Sequence, residues 1–179
     1  MSSLSRFRQW KLLHFTKPLR DRSLFRFVVE NKITNLVRFG LESEEHLANL
    51  IQLARQAAEN KPIRFIGIDR FEGTAGTSVG LKSAHRLLHR MGISYRLLPG
   101  DALPVLMRFA NEITDVQAVV FSPGWVPDVH DRTWFYLPRM MAPEGKVLLA
   151  PNDEDGAYRA VDRVQAEAIG YASLTPRAA

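Results

Sequence analysis

The segment Ile63-Arg-Phe-Ile-Gly-Ile-Asp69 constrains the fold more than any other part of the chain. It is a short, almost uninterrupted apolar run that follows Pro62 and ends on a carboxylate. A continuous run of this length, rich in β-branched residues, suits a strand covered on both faces, as in a parallel sheet. The acid then lies at the carboxyl end of that strand, the edge at which open parallel sheets present their ligand-binding crevices.

The rest of the chain repeats the same grammar. Asn35–Phe39 reads as a strand ending at Gly40, Ser94–Leu98 as a strand running into Pro99-Gly-Asp101, and Val116–Phe121 as a strand followed by Ser122-Pro-Gly124. Helical patterns fill the intervals. Ser43 is a candidate cap, Glu44 and Glu45 suit a helix N-terminus, and Leu47, Leu50, Ile51, Ala54 and Ala58 form one apolar stripe. Ala84, Leu87, Leu88 and Met91 form a second stripe, closed by Gly92. Leu103, Leu106, Phe109, Ala110 and Ile113 form a third. Beyond the fourth strand, a helix is expected over about 131–141, kinked or delayed by Pro138. A turn at Pro143-Glu-Gly145, a strand over Lys146–Ala150, a polar loop at Asn152–Gly156 and a helical pattern through Ala168 complete the reading, with Tyr171–Leu174 as a short strand or a tail. Alternating strands and helices predict an α/β domain: a three-layer sandwich with a mainly parallel sheet and helices on both faces.

Length allows one domain with a short extension. The charge is uneven. Nine Arg or Lys and two acids lie in residues 1–38, a sum of +7 against a whole-chain charge of +5. We therefore divide the chain into a basic N-terminal extension (1–30), a domain (31–174) and a tail (175–179). A basic arm can meet nucleic acid, anionic lipid or an acidic protein; it can equally be a solvated helix whose Leu4, Phe7, Trp10 and His14 pack on the domain. The chain has no cysteine, which excludes disulfides and thiolate metal sites. No apolar run reaches the length of a membrane span. The first twenty residues lack acids, a composition that also occurs in organelle transit peptides; the default expectation is a cytoplasmic protein.

Over residues 30–150 this order of strand ends resembles the class I, Rossmann-like S-adenosylmethionine-dependent methyltransferases. Gly40, Asp69, Gly100-Asp101-Ala102, Phe121-Ser-Pro123 and the phrase Trp134 to Leu149 carry the resemblance. It implies that S-adenosylmethionine is the cofactor. Gly40 would pass its amino-acid end, Asp69 would hold the ribose hydroxyls, and Asp101 would meet the adenine amino group. Ala102 would lie against the adenine ring, and Phe121 and Ser122 would stand near the transferred methyl. The acceptor is not implied.

The departure lies after the first strand. Where the family has an acid and a glycine-rich turn, this chain has Arg38-Phe-Gly-Leu-Glu-Ser-Glu-Glu45, with a single glycine. Side chains at Leu41 and Glu42 intrude where glycines would let the backbone approach a ligand. This predicts weakened or lost cofactor binding, and so keeps a second function open: a non-catalytic Rossmann-like binding or assembly module. Other motifs read as structure. Gly73–Ser83 lies between strand and helix but does not match the phosphate-loop spacing. His85 and His89 share a helix face flanked by arginines, and His130-Asp131 reads as a loop histidine beside a helix cap.

Overall fold

The structure is a computed structural model that describes residues 5–59, 61–71, 79–153 and 155–174. The chain runs α1 (Arg6–Phe15), α2 (Leu19–Glu30), β1 (Asn35–Phe39), α3 (Glu44–Ala57), β2 (Arg64–Asp69), α4 (Leu81–Met91) and β3 (Ser94–Pro99). It continues through α5 (Ala102–Phe109), β4 (Val116–Phe121), α6 (Thr133–Met140), β5 (Met141–Leu149), β6 (Arg159–Asp162) and α7 (Arg163–Leu174). The strands form one six-stranded sheet in the order β3-β2-β1-β4-β5-β6. The β1–β2, β1–β4, β2–β3 and β4–β5 pairs are parallel, and β6 is antiparallel to β5. This is the doubly wound Rossmann order with its edge strand reversed.

Side chains alternate cleanly across the sheet. Leu36 and Phe65 face one core with Leu24, Phe25, Leu50 and Leu88 of α2, α3 and α4. Val37, Phe39, Ile66 and Ile68 face the other, with Leu106, Leu137 and Ala166 of α5, α6 and α7. Helices thus cover both faces, as expected. The chain changes faces between β1 and β4, so the topological switch point lies at Gly40 and Ser122.

Local chemistry explains most elements. The Ser43 side chain accepts from the His46 N–H and caps α3, and Gly92 closes α4 in the left-handed conformation at φ 64°. Several expectations need correction. First, α2 belongs to the core rather than to an extension: Leu24, Phe25 and Val28 are fully buried, and Ser23 Oγ accepts from the Tyr158 N–H at 3.0 Å. Second, α1 does not pack through Phe7 and Trp10, which are 72% and 50% exposed; it leans on the domain through Leu12 and Leu13.

Third, the helix expected over about 131–141 is shorter, Thr133–Met140, with Pro138 inside it. The proline removes an amide that would otherwise bond to the Trp134 carbonyl. Gly170 of α7 packs against that same carbonyl, where a Cβ would come within 2.9 Å of the oxygen. Fourth, Pro143–Gly145 is an excursion within β5 rather than a separating turn. Met141 pairs with Val116 and Lys146 with Ala118, so β5 spends extra residues across one step of β4. The segment after Asp155 is a strand followed by a helix, the reverse of the expected order.

Candidate functional site

The carboxyl ends of β1, β2, β3 and β4 bring Gly40, Asp69, Gly100-Asp101 and Ser122 to one edge of the sheet. Each is already engaged by the chain itself. Gly40 adopts φ 80°, a left-handed conformation that favours glycine. A Cβ on Gly40 would lie 2.7 Å from Trp125 Nε1 and closer still to Cδ1, so the indole of Trp125 rests directly on this residue. The Trp125 N–H donates to the Ser122 carbonyl at 3.0 Å, which fixes the loop that carries the ring.

Asp69 is buried. Its Oδ2 accepts from the Leu41 N–H at 2.6 Å and its Oδ1 from the Phe71 N–H at 3.0 Å. The carboxylate therefore ties the end of β2 to the turn after β1 and to its own following residue. Phe71 is held at φ 58°, a costly conformation for a bulky side chain. Asp101 occupies the N-cap position of α5 but makes no side-chain cap bond there. It pairs with the exposed Arg70, whose guanidinium lies 5.3 Å from the Trp125 ring centroid. Trp125, Arg70 and Asp101 thus form a chain of contacts across the strand ends. Ala102 is half-buried at the start of α5 and packs on the second core. Phe121 is stacked on Phe39, with centroids 4.3 Å apart, beneath that core rather than in an opening.

Ser122 belongs to a polar bolt that the sequence reading did not single out. Its Oγ donates to the Gly40 carbonyl at 2.8 Å and accepts from Arg38 Nε and Nη2 at 3.1 and 3.0 Å. Arg38 is 1% exposed. Its Nε also reaches the Gly40 carbonyl at 3.1 Å, and its Nη2 donates to Glu42 Oε1 at 3.1 Å. Arg38, one residue before the end of β1, therefore fills the switch point with a satisfied guanidinium. Beyond Glu42 the network continues to His46 and Asp21, with His46 Nδ1 lying 3.6 Å from Glu42 Oε2 and 3.3 Å from Asp21 Oδ2. Burial, then the Arg38 charge, hold the His46 imidazole below its ordinary pKa, against the opposing pull of Asp21 and Glu42. Burial pushes the nearby Tyr158 phenol up to about 12.

A sequence signal for this network existed. Glu42 and His46 are four residues apart at a helix start, and Arg38 stands among the apolar residues Leu36, Val37 and Phe39. The other motifs stay outside the network. His85 and His89 are exposed on α4, and His85 Nδ1 is 3.3 Å from Tyr95 Oη. His130 is exposed, and Asp131 Oδ1 accepts from the Thr133 N–H at the start of α6. Most of the Gly73–Ser83 segment lies outside the described residues; Val79 donates its N–H to the Leu41 carbonyl at 3.1 Å.

No protein-family model matches this chain, and no curated protein sequence matches it. Among solved structures it is similar to the crystal structure of MNMC2 from Aquifex aeolicus, at 16% identity and a TM-score of 0.47. That match covers 82% of this chain and 50% of the other, so the chain spans half the length of that structure. No helix among the described residues is long and apolar enough to cross a membrane.

Proposed function

We propose that this chain is a methyltransferase-like Rossmann protein whose cofactor crevice has become an internal contact, and that it acts as a binding module. The observation that carries this reading is the indole of Trp125 seated on Gly40. Gly40 is where a cofactor's amino-acid end would pass, and its backbone has no space left above it. The engagement of Asp69 by two amides and of Asp101 by Arg70 supports the same reading. Calorimetric titration of the full chain with S-adenosylmethionine and S-adenosylhomocysteine tests it. The expected result is no saturable heat and no thermal shift at millimolar ligand. Saturable binding at micromolar concentration overturns it.

One observation favours a second reading, an active S-adenosylmethionine-dependent methyltransferase. Gly40, Asp69, Asp101, Ala102 and Ser122 all belong to one edge of the sheet, on four neighbouring strand ends. Trp125 would then be a movable cover. Asp69 would hold the ribose and Asp101 the adenine amino group. Catalysis would rest mainly on holding donor and acceptor in line for direct displacement. Under this reading Trp125→Ala should bind S-adenosylmethionine more tightly than the parent chain. Under the first, it should bind none.

The partner of the module is proposed to be anionic, with nucleic acid as the class to test. Support comes from α1. Phe7, Trp10 and Phe15 are exposed and touch in sequence, with ring centroids 6.2 and 4.9 Å apart, among Arg6, Lys11 and Lys17. Aromatic rings among cations suit stacked bases and phosphates. Deleting residues 1–30 would remove core side chains of α2, so point variants are the cleaner probe. Labelled single-stranded RNA should bind with an affinity that falls steeply with salt, and Trp10→Ala with Lys11→Ala should weaken it about tenfold or more. Equal affinity in the variant and the parent excludes α1 as the surface.

A further inference from the structure

We propose that Asp21, Glu42 and His46 form a binding site for a divalent transition metal, with zinc(II) the ion best matched by the donor set. Asp21 comes from α2, Glu42 from the turn after β1, and His46 from the first turn of α3. One ligand atom from each residue lies within 4.8 Å of the other two. His46 Nδ1 is 3.3 Å from Asp21 Oδ2 and 3.6 Å from Glu42 Oε2. A tetrahedral ion with bonds of ~2.0–2.2 Å places its ligand atoms ~3.3–3.6 Å apart, which both imidazole–carboxylate distances match; the two carboxylate oxygens, within 4.8 Å of each other, would close to that spacing around the ion. One imidazole nitrogen and two carboxylates, with the fourth position left for water, is a donor set that zinc takes and that calcium and magnesium do not favour.

Internal hydrogen bonding does not complete this cluster. A single Nδ1–H can serve one carboxylate well, yet two face it. Asp21 is 8% exposed and His46 7%, so the two carboxylates and the imidazole meet largely out of water. Two carboxylates directed at one side of an imidazole are the arrangement a shared cation would relieve. The outer groups are already in place. Glu42 Oε1 accepts from Arg38 Nη2, which leaves Oε2 for the ion, and Arg20 Nε lies 3.7 Å from Asp21 Oδ1. Such contacts orient metal-binding carboxylates. The two guanidinium charges also offset the carboxylates, so affinity should be micromolar rather than that of a structural zinc finger. A cavity of about 340 Å³ between α1, α2 and α3, lined in part by Thr16, Ser43 and Asn49, reaches Asp21 and His46 and gives an ion a way in.

The site does not depend on whether the strand-end crevice binds a cofactor. The test is titration of the full chain, after treatment with a chelator, with zinc alone in competition with a chromogenic zinc indicator. One equivalent should bind with a dissociation constant in the micromolar range or below. Asp21→Asn and Glu42→Gln keep side-chain shape and should each weaken it tenfold or more. His85→Ala with His89→Ala removes the exposed histidine pair on α4 and should leave binding unchanged. Zinc should also raise the melting temperature of the parent chain and not that of Glu42→Gln. If Asp21→Asn does not fold, Glu42→Gln decides, because Glu42 is 23% exposed and lies at the rim of the cluster. The proposal is overturned if no stoichiometric binding occurs, or if binding survives in Glu42→Gln and disappears with the α4 histidines. In either case the cluster is an internal salt-bridge network only.

Discussion

Replacing Asp69 separates a ligand-holding acid from a structural one, because the two roles predict opposite results. A free acid waiting for ribose hydroxyls could be removed at little cost to stability. The structure commits both oxygens: Oδ2 to the Leu41 amide at 2.6 Å and Oδ1 to the Phe71 amide at 3.0 Å, at a residue 3% exposed. Bonds to a buried charged acceptor contribute about 1.5–3 kcal/mol each, so Asp69→Ala should cost about 3–6 kcal/mol. Asp69→Asn keeps one acceptor and turns an amino group toward the other amide, so it should cost about 2–3 kcal/mol. Either loss is large beside a typical domain stability of about 5–15 kcal/mol. Urea unfolding at neutral pH, followed by circular dichroism with the slope fitted for each variant, measures both. A loss below about 1 kcal/mol in Asp69→Ala, with an unchanged slope, would refute the structural assignment and return Asp69 to the list of free ligand-binding groups.

The remaining predictions concern packing and one buried phenol. Gly40→Ala should lose at least about 2 kcal/mol, from the φ of 80° and from contact with the Trp125 indole; adding Trp125→Ala should recover only the steric part, which a double-mutant cycle by urea unfolding reads directly. Gly170→Ala should destabilise by about 1–3 kcal/mol although alanine favours helices by about 1 kcal/mol, because its Cβ would sit 2.9 Å from the Trp134 carbonyl; a rise in melting temperature would contradict the α6–α7 contact. Tyr158 Oη is buried without a partner among the described residues, so Tyr158→Phe should be neutral or stabilising by up to about 1 kcal/mol at pH 7. The Tyr158 phenol is pushed from 10.0 to about 12, so the folded chain keeps a proton that the unfolded chain sheds. Stability should therefore fall as pH rises from about 10 toward 12, by up to ~2–3 kcal/mol, and Tyr158→Phe should remove that part of the slope. Identical slopes in the two chains would show that Tyr158 does not cause it.

The sheet was legible because its signals are local. Four of the strands are short, largely apolar or β-prone segments that end at Gly40, Asp69, Pro99-Gly100 and Ser122, and the helices between them carry their own caps at Ser43 and Gly92. The reading failed where local chemistry and tertiary contact disagree. Pro138 signals a break, but the carbonyl it frees is the one Gly170 packs against; Pro143-Glu-Gly145 signals a turn, but β4 absorbs it as an irregularity in one strand. The site failed for a different reason. The division at residue 30 places Asp21 in a basic arm, whereas the fold buries it beside His46 of α3. Besides the Glu42–His46 spacing, Leu36-Val-Arg-Phe39 itself held a warning. A strand covered on both faces has no solvent side for its arginine, so Arg38 must find acceptors inside. Register then limits the choice. Arg38 lies opposite Val120, so Ser122, two residues on and just past the end of β4, falls on the same face, and the turn after Phe39 supplies the Gly40 carbonyl and Glu42. The residue that breaks the apolar pattern of β1 is therefore the one that organises the polar network at the switch point, because it is the one side chain of Leu36-Val-Arg-Phe39 that burial obliges to find acceptors.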